Sequence, residues 1–268
     1  MNLIVALKAE ASPLIESLSL SREEGSDSFP LFVGDHCNLI ISGVGKSRAS
    51  AAVLYLRKRF PQPNQAWVNL GFAGHGKLEV GKSFLANRVM DGESGEAFYP
   101  PQLIVSKIAS SSLLTSLNPL ADYPEPIGYD MEASAFCLSA RTATTRELIQ
   151  VVKVVSDNPA NPVESFDRSR AAALMKNALP SIHPFLEKLE KLASKVTPPT
   201  ELLNFIEEAF ALKPFTQTQR HQLRKLLNQA NALGMPEEDA RAILESSGTT
   251  REAIHELDLV LEERRLLS

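Results

Sequence analysis

Short apolar runs bounded by turn residues recur along the first two thirds of the chain, at 2–7, 38–42, 66–70, 83–89, 102–108 and 151–155. Runs of this length that are rich in Val, Ile and Leu predict strands, and the β-branched run at 151–155 predicts a strand buried on both faces. Between them, apolar residues return at helical spacing near 10–19, 46–59, 131–144 and 167–193. Strands that alternate with helices predict an α/β domain.

The alternation stops at Ser194-Lys195-Val196-Thr197-Pro198-Pro199-Thr200. Pro198 and Pro199 cannot continue a helix, and they bias Thr197 towards extended geometry. A boundary is predicted there, separating residues 1–195 from a segment, 200–268, in which every signal is helical. Thr216-x-x-Gln219 and Thr249-x-x-Glu252 read as capping boxes, while Gly234 and Gly248 fall where C-caps belong. Three or four short helices follow from this pattern. Leu223, Leu226, Leu227 and Ala230 form an apolar stripe on the second of them, with Arg220, Arg224 and Lys225 as a basic shoulder. That is the pattern of a packed face with a solvated edge.

Composition narrows the class. At 268 residues with 44% hydrophobic content, the chain has room for one large domain and one smaller one. No apolar run reaches the roughly 18 residues of a bilayer span, and Met1 leads straight into a strand pattern without a cleavable signal. A cytoplasmic protein is the expectation. Cys37 and Cys137 stand apart with no Cys-x-x-Cys and no histidine cluster, which predicts buried free thiols and neither a metal site nor a disulfide. Residues 1–199 carry 20 acids and 20 bases, so the net charge of -4 belongs to the tail, with its 12 acids and 8 bases. Nucleic acid is not an expected partner.

Three acids stand beside strand ends. Glu10 follows the first run and begins the first helix, Glu132 opens the apolar helix after Met131, and Asp157 ends Val151-Val152-Lys153-Val154-Val155-Ser156. Sites in open α/β sheets form outside the carboxyl ends of the strands, so these acids are predicted to share one sheet edge and bound a pocket. Each has an ordinary alternative. Glu10 and Glu132 fit as first-turn carboxylates that compensate a helix dipole, and Asp157 fits an Asx-type turn before Pro159.

Two glycine turns accompany them. Ser42-Gly43-Val44-Gly45-Lys46-Ser47 lies between a strand and a helix, but Ile40 and Arg48 stand where a Walker motif and a dinucleotide fingerprint each need glycine. It predicts a tight turn whose backbone N–H groups can face a ligand. Asn69-Leu70-Gly71-Phe72-Ala73-Gly74-His75-Gly76 ends the third strand, and its glycines imply either a close-lying ligand or a loop that needs positive φ. His75 has no partner spacing and reads as a loop residue.

In order, Ala9-Glu10, Ser42-Gly43-Val44-Gly45-Lys46, Gly71-Phe72-Ala73-Gly74 with Val80-Gly81, Asp130-Met131-Glu132-Ala133 and Ser156-Asp157 resemble the nucleoside phosphorylase/nucleosidase superfamily. Within it the chain is most similar to the methylthioadenosine/S-adenosylhomocysteine nucleosidases, over most of residues 1–193. The resemblance implies a three-layer α/β/α fold with a mixed, twisted sheet, to which this chain adds a small all-α C-terminal domain. It implies a small-molecule purine nucleoside as substrate, no cofactor, and a homodimer.

The resemblance also implies roles. Glu132 would accept hydrogen bonds from the ribose hydroxyls with Met131 beneath the sugar, Asp157 would donate to N7 of the leaving purine, and Glu10 would deprotonate the attacking water. Phe72, Ala73, Gly74, Ser156 and Phe166 would line the ligand, with Phe98 and Tyr99 as candidates to cover the base from a loop. Breaking an N-glycosidic bond through an oxocarbenium-like sugar needs an acid behind the base and a water opposite. Asp157 is therefore expected protonated and Glu10 ionised.

Phosphorolysis is the chemical rival, and it needs cations beside C1′. Phosphorylases of this superfamily place arginines after the first strand and before the third-strand turn, where this chain has Leu7-Lys8-Ala9-Glu10 and Asn69-Leu70. Lys46, Arg48 and Arg88 are the other cations to place. Phe72 stands where nucleosidases commonly have small or hydroxyl residues, and the stretch from Met90 to Gly128 is shorter than theirs and lacks a helix. With the added tail, these departures leave a third reading, a nucleoside-binding sensor or scaffold of weak turnover. The tail itself has no counterpart in the family pattern; dimerisation, a lid, or attachment to another protein are its open roles.

Overall fold

The buried runs become the centre of a ten-stranded mixed sheet in the computed structural model, which describes residues 1–25, 28–62, 64–120, 122–162, 168–196 and 199–267. The chain divides into two units, Met1–Thr197 and Pro198–Ser268. In the first, strands β1 (Asn2–Val5), β4 (Asn38–Ile41), β5 (Trp67–His75) and β10 (Ile149–Asp157) run parallel in the order β4-β1-β5-β10. Short β2 (Ser21–Arg22) and β3 (Leu31–Val33) extend the β4 edge antiparallel. On the other side β6 (Ser83–Asp91) pairs with β10, with β7 (Ala97–Phe98) and with β8 (Ala109–Thr115), and β8 pairs in turn with β9 (Gly128–Asp130). Because β10 pairs with both β5 and β6, the strands β5, β10, β6, β8 and β9 close into a hydrogen-bonded circuit.

Period-two alternation makes the three layers. Leu3, Val5, Leu39, Val68, Leu70, Val152 and Val154 face one core with Leu14 of α1 (Lys8–Ser17) and Met175, Ile182 and Leu189 of α4 (Arg168–Val196). Their neighbours Ile4, Ile40, Trp67, Val151 and Val155 face the opposite core with Val53 and Leu56 of α2 (Lys46–Arg59) and Phe136 of α3 (Ala133–Ala140). Strands covered on both faces have no polar face to show, hence the unbroken apolar runs.

One expected strand is overturned. Residues 102–108 form no strand; Leu103 and Val105 are 60% and 86% exposed. The strand beside β6 is the serine-rich β8 that follows, held by its register with β6 and by the buried Leu113 rather than by an apolar pattern. No helix occurs among the described residues between β6 and β9. Both cysteines are buried and free.

The second unit holds α5 (Thr200–Leu212), α6 (Gln217–Ala232), α7 (Glu237–Ser246) and α8 (Thr250–Leu267). Leu223, Leu226, Leu227 and Ala230 are buried in its core. Thr216 and Gln219 exchange capping bonds, as do Thr249 and Glu252. Gly234 ends α6 at φ +64°, as a left-handed cap should. Gly248 is different: its φ is not positive, and a Cβ there would stand 2.9 Å from the Glu252 carboxylate that caps α8. No helix among the described residues is long and apolar enough to cross a membrane.

Candidate functional site

The parallel strands β1, β5 and β10 end on one edge of the sheet, and a cavity of about 220 Å³ opens there. Glu10, Phe72, Ala73, Gly74, Met131, Glu132, Ser156 and Asp157 all line it. Phe166 lies outside the described residues. Phe98 and Tyr99 do not reach the cavity, since Phe98 is buried on β7 beneath the Arg146 guanidinium and Tyr99 is half exposed. Tyr123 and Tyr129 are the tyrosines that line it.

Glu10 sits in the first turn of α1, only 2% exposed. Its Oε2 accepts the Leu7 N–H at 2.7 Å and its Oε1 the Phe72 N–H at 2.8 Å. The second bond pins α1 to the end of β5, and it explains Gly71: a Cβ there would stand 2.9 Å from Glu10 Oε1. Burial raises the Glu10 carboxyl to about 7, against the lowering pull of the two backbone N–H groups and of Lys153. Burial thus works against the ionised Glu10 that the resemblance implies, by bringing its titration close to neutral pH.

Glu132 precedes α3 yet makes no side-chain cap. Asp130 does that work, accepting the Ala133 N–H at 2.9 Å through Oδ2 and the Thr115 hydroxyl at 2.7 Å through Oδ1. Glu132 Oε1 instead accepts the Gly45 N–H at 2.7 Å. The 42–47 turn, with Gly43 and Gly45 at φ +82° and +103°, thus presents a backbone donor to a carboxylate of its own chain. Burial raises the Glu132 carboxyl, partly countered by Lys153 and reinforced by Asp130.

Asp157 also escapes its ordinary role. The turn before Ala160 belongs to Asn158, whose Oδ1 accepts the Ala160 and Asn161 N–H groups at 3.1 and 2.9 Å. Asp157 lies beside Gly74, past a register shift in β10. It accepts hydrogen bonds from two hydroxyls, Ser156 to Oδ1 and Tyr123 to Oδ2.

Behind the acids is a group that the motif reading passed over. Lys153 shares the face of Val151 and Val155, is 1% exposed, and pairs with Asp130 Oδ2 at 2.8 Å. Burial alone would lower its pKa; facing Asp130, Glu132 and Glu10 more than offsets that and holds the ammonium above its ordinary value. A lysine inside a β-branched buried strand was the available signal, since lysine is almost never fully buried unless paired. Tyr123 gave no such signal, because it comes from an irregular segment without periodicity.

The other candidate cations lie elsewhere. Lys46 is tied to Asp91 at 3.0 Å and to Glu93, Arg48 stacks over Phe29, and Arg88 is exposed on β6. Among the described residues no lysine or arginine lines the cavity. His75 is buried at the end of β5, where Nδ1 accepts the Lys77 and Leu78 N–H groups at 2.9 and 3.0 Å. That leaves its proton on Nε2, facing the Ser111 hydroxyl at 3.0 Å, in a structural role.

The layers and the strand-end cavity define a nucleoside phosphorylase-like α/β/α fold in Met1–Thr197. Solved structures similar to it include methylthioadenosine/S-adenosylhomocysteine nucleosidases. The enzyme from S. pneumoniae aligns at a TM-score of 0.59 and 18% identity, over 71% of this chain and 98% of that one. The Colwellia psychrerythraea 34H enzyme in complex with adenine gives 0.55 and 17%, over 71% and 93%. The Arabidopsis thaliana 5′-methylthioadenosine nucleosidase gives 0.55 and 15%, over 70% and 94%. No family model and no curated protein matches the chain.

Proposed function

We propose that the protein is a nucleosidase that hydrolyses the N-glycosidic bond of a purine nucleoside of the methylthioadenosine/S-adenosylhomocysteine kind, acting as a cytoplasmic homodimer. The observation that carries the reading is the convergence of Glu10, Glu132 and Asp157 on one cavity that no lysine or arginine lines among the described residues. Glu132, whose Oε1 is held by the Gly45 N–H, accepts the ribosyl hydroxyls, with Met131 against the sugar. Glu10 takes the proton of the attacking water, which suits a carboxyl near 7 because a general base works best close to the operating pH. Asp157 faces the leaving base and supplies its proton or hydrogen bond. Two acids beside the sugar favour an oxocarbenium-like transition state by charge. Lys153 keeps Asp130 neutralised and lowers the cost of ionising Glu10 and Glu132.

Phosphate would meet these carboxylates without a lysine or arginine on the cavity wall among the described residues, which supports water as the nucleophile. The test is release of free base from methylthioadenosine, S-adenosylhomocysteine, adenosine, inosine and futalosine, with and without phosphate. Release independent of phosphate is expected. Release only with phosphate, yielding ribose 1-phosphate, would establish a phosphorylase instead. One observation favours a nucleoside sensor as second reading, the Tyr123 hydroxyl on Asp157. Glu10→Gln and Asp157→Asn decide between them: each abolishes release in an enzyme, while a sensor binds nucleoside and releases nothing even in its native form.

A further inference from the structure

We infer that Tyr123 determines what the base end of the cavity accepts: its phenol holds the place on Asp157 that a leaving nucleobase must take, so a base binds only by displacing it. This rests on the reading above, in which Asp157 faces the base. Both Asp157 oxygens are already engaged, Oδ2 by Tyr123 and Oδ1 by Ser156. The phenol reaches Asp157 by crossing the backbone of β5, and only glycine allows the crossing. A Cβ on Gly74 would run into the Tyr123 hydroxyl, and one on Gly76 into the Glu125 carbonyl. Neither glycine has a positive φ, so their reason is close approach by this segment. With the phenol seated, the cavity of about 220 Å³ falls short of the roughly 300–1,000 Å³ usual for small-molecule pockets.

The seat is also exchangeable. The Tyr123 ring leans on Tyr129, with centroids 5.2 Å apart at 37°, and the Tyr129 hydroxyl accepts the Glu125 N–H at 3.1 Å. The contact with Asp157 is a bond between two side chains, so turning Tyr123 about its own side-chain bonds releases Asp157 without disturbing a strand pair. A purine N–H then replaces the phenol as donor to Oδ2, or a bare ring nitrogen accepts from Asp157 once the carboxylate has taken up a proton from solvent, and the vacated volume admits the ring. Tyr123 is thus a specificity-determining residue, favouring bases whose hydrogen bond to Asp157 outweighs the phenol's.

Calorimetric titration of the full-length protein with adenine tests this, using native protein, Tyr123→Phe and Tyr123→Ala. Removing the phenol hydroxyl is expected to tighten adenine binding about 10-fold or more, as loss of a competing hydrogen bond to a carboxylate implies. Tyr123→Ala tightens it at least as far, and adding Asp157→Asn abolishes the gain. Adenine binding in Tyr123→Phe equal to or weaker than native overturns the inference, as does absence of adenine binding in all three proteins. Tyr123→Ala decides alone should Tyr123→Phe fail to fold. Base release separates this from the hydrolase reading. Release with adenine affinity unmoved in Tyr123→Phe sinks the role of Tyr123 only, whereas tightening without release sinks the hydrolase and leaves Tyr123 standing.

Discussion

The two ends of the cavity are built differently. At the Glu10–Glu132 end, the carboxylates are held by main-chain N–H groups of Leu7, Phe72 and Gly45, which belong to the starts of helices and the end of a central strand. At the Asp157 end, the carboxylate is held by two side-chain hydroxyls, one from an irregular segment. Main-chain donors cannot leave without unmaking an element, whereas side-chain hydroxyls can turn away. The contrast separates a preorganised end, where proposed charge stabilisation needs fixed geometry, from an exchangeable end, where a leaving group has to enter and depart.

The strongest way to break this contrast is at the buried pair behind the fixed end. Lys153→Met leaves Asp130 without its ammonium and is expected to cost about 3–5 kcal/mol in urea unfolding. The double variant with Asp130→Asn recovers part of the loss. A loss below about 1 kcal/mol would mean that the fixed end does not depend on the pair.

Next in size is a pH effect. The Glu10 carboxyl moves from an ordinary 4.5 to about 7 in the fold, so the folded state favours its neutral form. Its stabilising share is complete below pH 4.5 and is lost as pH rises through 7, by up to about 3 kcal/mol. Unfolding free energies from pH 4.5 to 8 should fall more steeply in the native protein than in Glu10→Gln. Parallel curves would contradict the burial argument.

Gly71→Ala sharpens the same point. Its Cβ meets the pinned Glu10 carboxylate, and about 1–3 kcal/mol of overpacking is expected. Proposed base release should fall with it, because Glu10 is pushed from its place. At the exchangeable end, Tyr123→Phe removes one partly buried hydrogen bond and should cost only about 0.5–1.5 kcal/mol. A cost as large as that of Lys153→Met would erase the difference between the two ends.

Much of the fixed end is legible in the sequence. The apolar run at 2–7 locates β1 with Glu10 just beyond it, and motif order places Glu132 before α3; at the other end, the run at 151–155 locates β10, which Asp157 ends. For Glu132 and Asp157 the neighbours account for why the ordinary alternatives fail, since Asp130 caps α3 and Asn158 makes the turn, whereas Glu10 keeps its helix-start role by accepting the Leu7 N–H while also lining the cavity. That exchange of duties between adjacent acids and amides is invisible without coordinates. So is β8, whose serines carry no strand pattern and whose place is set by pairing with β6. The glycines at 71, 74 and 76 signal close approach, but what approaches is a carboxylate and a tyrosine segment of the same chain.

Base release from methylthioadenosine in phosphate-free buffer, followed from pH 5 to 9 in native protein and Glu10→Gln, tests the central claim most directly. Release without phosphate is expected, rising through about pH 7 as Glu10 ionises, and reduced about 10²–10⁴-fold in the variant. No release at any pH, or release that appears only when phosphate is added, would contradict it.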